Sequence, residues 1–62
     1  MIGDIIKELG GTVKVARMLD VTPASVSQWI NKDTIPPLRA IQLEKVTDGK
    51  IKASDLIGGL NE

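Results

Sequence analysis

Ala24, Ser25, Ser27, Gln28 and Asn31 fall within eight residues of one another, and all five are uncharged. Four of them carry hydrogen-bonding groups. A hydroxyl donates once and accepts twice, while a primary amide sets a donor beside an acceptor. Groups of this kind recognise other polar edges by pairing with them; they do not break bonds. The residue types that would break bonds are missing. The 62 residues include no Cys and no His, which removes thiol nucleophiles, imidazole bases, disulfides and the ligand sets of structural zinc. None of the eight Asp and Glu belongs to a pocket-forming motif, so surface pairing accounts for them and no enzyme is expected. Neither a metal, a cofactor nor a small-molecule ligand is expected.

The elements that must hold these polar residues are legible around them. Val15, Ala16 and Leu19, then Val21, then Val26, Trp29 and Ile30 form an inward stripe at helical spacing on two short helices joined by a sharp turn, spanning about residues 12–31. Trp29 belongs to that stripe and is assigned to the core. Ala24, Ser25, Ser27, Gln28 and Asn31 are left facing outward. An ordinary surface helix carries Lys and Glu there, because long charged side chains favour both helix and solubility. Short polar side chains let a backbone approach the floor of a groove and bond to base edges. Double-stranded DNA is therefore the expected partner. A single-strand binder is excluded on composition, since Tyr and Phe are absent and Trp29 alone makes no stacking platform.

Further helices complete the chain. Ile2, Ile5, Ile6 and Leu9 sit at i, i+3, i+4 and i+7, and Gly10-Gly11 supplies a left-handed cap. The next helix runs from about Thr12, whose hydroxyl is expected to cap it, to about Leu19. Thr22-Pro23 opens the third, through about Asn31: the hydroxyl caps and proline takes the first helical position. A fourth follows from Pro37 to about Thr47, with Leu38, Ala40, Ile41, Leu43 and Val46 as a broad inward face, Gln42, Glu44 and Lys45 in water, and Asp48-Gly49 as the stop. Over residues 50–57, Lys50-Ile51-Lys52 alternates as a strand would, but a short helix opened by Ser54 and Asp55 and ended by Gly58-Gly59 is preferred, because no partner strand is evident. The fold class is thus all-α, four to five short helices around a helix-turn-helix in one domain over residues 1–62, with a flexible tail from about 58.

Charge is permissive. Eight Lys and Arg balance eight Asp and Glu, yet between Thr12 and Arg39 four cations, Lys14, Arg17, Lys32 and Arg39, meet two acids, Asp20 and Asp33. No apolar run approaches the ~20 residues that span a bilayer, and the N-terminal segment lacks the basic start of a signal peptide. A cytoplasmic protein without a membrane partner is expected.

Ala16, the Asp20 turn, Val21, Val26 and Trp29, followed by Ile35-Pro36 and the RAIQLE segment, resemble the Cro proteins of lambdoid phages and related prophage regulators over roughly residues 2–57. In that family a small Ala sits where the two helices cross, the place of Ala16 here. The turn usually holds Gly; this chain has Asp20, which tolerates positive φ better than most residues. The resemblance implies a λ-repressor-like DNA-binding domain whose base-reading surface is Pro23, Ala24, Ser25, Ser27 and Gln28, with Asn31 near the groove edge. Gln28 suits a bidentate pair with adenine, and Ala24 or Pro23 a thymine methyl.

Thr12, Lys14, Arg17, Lys32 and Arg39 are the candidates for phosphate contacts, which fix register without reading sequence. Arg39 stands out because a cation is disfavoured in the first turn of a helix, so another reason for it is expected. One short reading helix covers only a few base pairs. Two copies on a pseudo-palindromic operator are expected, as a weak or DNA-induced homodimer, with Ile51, Leu56, Ile57 and Leu60 the source of a dimer surface. The alternative is an antitoxin-like protein-interaction module that docks another chain on the same helix face.

Overall fold

The computed structural model describes residues 1–56 and forms five helices there: α1 (Ile2–Glu8), α2 (Thr12–Leu19), α3 (Pro23–Lys32), α4 (Pro37–Val46) and α5 (Ala53–Leu56). No strand occurs among the described residues, as the all-α reading requires. The tail from residue 58, the Gly58-Gly59 stop, Ile57 and Leu60 lie outside them.

One device ends each of the first four helices. At the end of α2 the Val21 N–H bonds to the Ala16 carbonyl at 2.9 Å and the Asp20 N–H to Arg17 at 3.4 Å, a paired closure about a left-handed residue. The same pairing recurs at Gly10-Gly11, at Asp33-Thr34 and at Asp48-Gly49. Glycine fills the left-handed position once; Asp20 (φ 57), Asp33 (φ 53) and Asp48 (φ 56) fill it three times. Helix starts are less uniform. Thr22 caps α3 as expected, its Oγ1 accepting from the Ser25 N–H at 3.2 Å, with Pro23 first in the helix. Thr12 does not cap α2: Gly11 holds the cap position at φ 103 and Thr12 is already helical, so its hydroxyl makes no capping bond.

Ile2, Ile6, Val15, Ala16, Leu19, Val26, Ile35, Ala40, Leu43, Ala53 and Leu56 make one core. No helix pair packs more extensively than α2 and α3, as the shared inward stripe demands. Trp29 departs from its expected place: it is half-buried, packed against the core from the rim. On α4 the broad inward face shrinks to Ala40 and Leu43, while Leu38, Ile41 and Val46 are 63%, 48% and 51% exposed. The core reaches α4 from one side only, and two residues fill that side. Glu44 departs in the opposite sense. It is half-buried and its Oε1 accepts from the Ala53 N–H at 2.6 Å, which caps α5 in place of Ser54. Thr47 adds a second tie, donating to the Leu43 carbonyl at 2.7 Å and accepting from the Ile51 N–H at 3.2 Å.

Two stability measurements follow from this packing. Leu43→Ala should cost about 2 to 5 kcal/mol, comparable to the whole stability of so short a chain, whereas Leu38→Gln and Ile41→Gln should each stay within about 0.5 kcal/mol. Chemical denaturation of the three variants checks the order, and equal losses would contradict the one-sided packing of α4. Asp20→Gly should raise stability by about 0.5 to 1 kcal/mol, because Gly relieves a left-handed conformation that disfavours a Cβ by more than its own chain entropy costs. A lower melting temperature for that variant would show that the Asp20 side chain contributes something beyond its φ.

Candidate nucleic-acid interface

α3 is fixed at its N-terminal end by the turn and by Thr22. Below it lies Val26, which is fully buried, with Trp29 and Ile30 half-buried beside it. Opposite that stripe, Ala24, Gln28 and Asn31 follow one another at i, i+4 and i+7, and all three are exposed. They form the crest of the helix. Pro23 and Ser27 are exposed on one shoulder and Lys32 closes the other. Ser25 sits lower: it is half-buried and its hydroxyl is 3.0 Å from the Thr22 Oγ1, so part of its bonding capacity is committed to the cap. Ten helical residues span about 15 Å, and the major groove is about 12 Å wide and admits one helix. The crest presents amide donors and acceptors without a charge among them.

The cationic candidates are distributed around this crest. Lys14 and Arg17 are exposed on the side of α2 opposite Val15, Ala16 and Leu19. The Lys14 methylenes run over Gly10, where a Cβ would meet the Lys14 Cδ at 2.5 Å. Thr12 is half-buried at the start of α2. Arg39 is half-buried, and its placement supplies the reason that its unfavourable position in the first turn calls for. Its Nη1 donates to the Leu19 carbonyl at 3.3 Å and to the Gln42 Oε1 at 2.8 Å, so α4 grips the carbonyl end of α2 beside the turn. Nε and Nη2 make no hydrogen bond to the described residues.

Between the crest and the loop into α4 runs an open cleft lined by Gln28, Trp29, Lys32, Thr34, Ile35, Pro36 and Pro37. Trp29 contributes to its lining and is half-buried. Gln42, expected in water, is instead half-buried as the acceptor for Arg39, and Asp33 is a site-supporting residue to which sequence reading assigns no role. Asp33 ends α3, and its Oδ1 accepts from the Ile2 N–H at 2.9 Å. That bond holds its carboxyl below the ordinary carboxylate range. A partner thirty-one residues away leaves no local signal.

A family profile described as DNA-binding transcriptional regulator Cro matches residues 3–59. The regulatory protein cro of Salmonella phage P22 is 43% identical over 49 residues, which cover 79% of this chain and 77% of the phage protein. No solved structure matches the chain. The profile runs through the turn at Asp20, the whole crest of α3 and the grip of Arg39 on α2, and the chain belongs to the Cro family of DNA-binding transcriptional regulators.

Proposed function

We propose that the protein is a repressor that blocks promoter access by occupancy, laying the crest of α3 into the major groove of an operator half-site. The observation that carries this reading is the exposed, uncharged row Ala24, Gln28 and Asn31 on a helix whose opposite side is anchored by Val26. Gln28 pairs bidentately with an adenine, Ser27 and Asn31 bond to neighbouring edges, Ser25 does so with the capacity its cap leaves free, and Pro23 or Ala24 touches a thymine methyl. Phosphate contacts come from Thr12, Lys14, Arg17 and Lys32, and from the two free nitrogen positions of Arg39.

Two copies act together on a pseudo-palindromic site, with half-sites one helical turn, about 34 Å, apart. Self-association is weak without DNA. Leu56 and Ala53 are spent on closing the core and Ile51 packs against it, so among the described residues the chain after α4 leaves little apolar surface for a partner.

Selection of bound sequences from a random duplex pool at stated salt tests the reading directly. A symmetric consensus is expected, and the absence of any preference would defeat it. Gln28→Ala should relax one position in each half-site by about 1 to 3 kcal/mol of discrimination and leave the others intact. Lys14→Ala should weaken all duplexes alike and lower the slope of log affinity against log salt by about one unit. Identical behaviour of these two variants would contradict the division between reading and positioning residues. Trp29, the one Trp in the chain, borders Gln28 in the cleft, and its fluorescence reports the titrations.

A further inference from the structure

We propose that Asp33 is a positioning residue for DNA reading: its tie to the Ile2 amide fixes the far end of α3 against α1 and so sets the pose of Gln28 and Asn31. The inference rests on the groove-reading function proposed for α3. It starts from a misplaced charge. A carboxylate at a helix C-terminus opposes the negative end of the helix dipole, and at the end of α3 it also directly follows Lys32, one of the few cations of the segment. Conformation alone does not call for it, since Gly or Asn adopts φ 53 at least as readily.

Asp20, Asp33 and Asp48 occupy equivalent left-handed positions, but among the described residues only the Asp33 carboxylate accepts a hydrogen bond. Its donor is the Ile2 N–H at 2.9 Å, and the Met1 amino nitrogen lies 3.3 Å from the same oxygen. Ile2 is buried, and Gly3 brings the α1 backbone so close to α3 that a Cβ there would meet the Ile30 Cγ2 at 3.3 Å. The bond therefore closes the end of a tight seam, Ile2 and Gly3 on one side, Ile30 and Asp33 on the other. The turn at Asp20 fixes where α3 begins. Asp33 fixes where it ends. With that end released, the helix is free to tilt about its start, and Asn31 near the released end, with Gln28 one turn before it, loses the half-ångström registry that paired hydrogen bonds require.

Two substitutions separate this role from simpler ones. Asp33→Asn keeps a left-handed-tolerant residue and an oxygen for the Ile2 N–H while removing the charge; Asp33→Gly keeps the conformation and removes the acceptor. Affinities are measured for the duplex selected by the parent protein and for a scrambled duplex, at a temperature where circular dichroism shows all three proteins folded. Asp33→Asn should bind the selected duplex at least as tightly as the parent. Asp33→Gly should bind it about three- to tenfold more weakly, with the scrambled duplex little affected, because the loss falls on base reading and not on phosphate contact. If Asp33→Gly lowers only the melting temperature, or weakens both duplexes equally, Asp33 is a stabilising cap and the proposal falls. If Asp33→Asn loses as much preference as Asp33→Gly, the charge and not the bond is at work, which also overturns it. A parent protein without preference between duplexes would instead defeat the groove-reading function itself.

Discussion

Every other feature of this chain depends on the left-handed turn at Asp20. Two residues, Asp20 and Val21, reverse the path of α2 so that Val15, Ala16 and Leu19 on one helix and Val26 on the next are buried in the same core. Ala16 is buried in that core, and its carbonyl, receiving the Val21 N–H, closes the turn. Once that angle is set, the opposite side of α3 faces water by necessity, whatever residues it carries. The polar crest is consequently free of any duty in folding.

This separation explains what the sequence discloses and what it conceals. The starts and stops of α1 through α4 rest on local chemistry: the Thr22 cap, Pro23 and Pro37 in first helical turns, and left-handed residues at Gly10, Asp20 and Asp48. These act within five residues, so a linear reading finds them, although it assigns the α2 cap to Thr12 instead of Gly11 and does not mark Asp33 as the end of α3. The face of α4 is different in kind. Leu38, Ala40, Ile41, Leu43 and Val46 are apolar around most of the helix, and spacing cannot say which of them the rest of the chain has room to cover. The structure covers Ala40 and Leu43 and leaves Leu38, Ile41 and Val46 exposed. Ile35 shows the converse, a loop residue only 2% exposed with no periodicity around it to betray the fact.

The candidate site divides along the same line. That Ala24, Gln28 and Asn31 point outward follows from the period of one helix, and the structure places them so. That Ser25 is partly committed to Thr22 is a detail of the α3 cap, whereas the grip of Arg39 on the Leu19 carbonyl and the hold of Asp33 on Ile2 are relations between separate elements. A hint of the Arg39 grip was present, since a cation in the first turn of a helix requires a reason outside that helix. The hint named no partner. Glu44, expected in water, reaches Ala53 for the same cause: the α5 backbone supplies a donor that no nearby side chain satisfies.

A neutral protein that reads duplex DNA looks paradoxical until affinity and preference are separated. Non-specific binding grows with the number of phosphates neutralised, because each releases condensed counterions. A chain with four cations and two acids between Thr12 and Arg39 can neutralise few, and one of those cations, Arg39, has already committed Nη1 to Leu19 and Gln42. What sets a regulator apart from its background is the ratio of specific to non-specific affinity across a whole genome of competing sites, and that ratio improves when the sequence-blind contribution is small. Low net charge then raises the demands on geometry. α3 is held at both ends, by the Asp20 turn at its start and by the bond from the Ile2 N–H to Asp33 at its finish, which is the rigidity such a demand on geometry calls for.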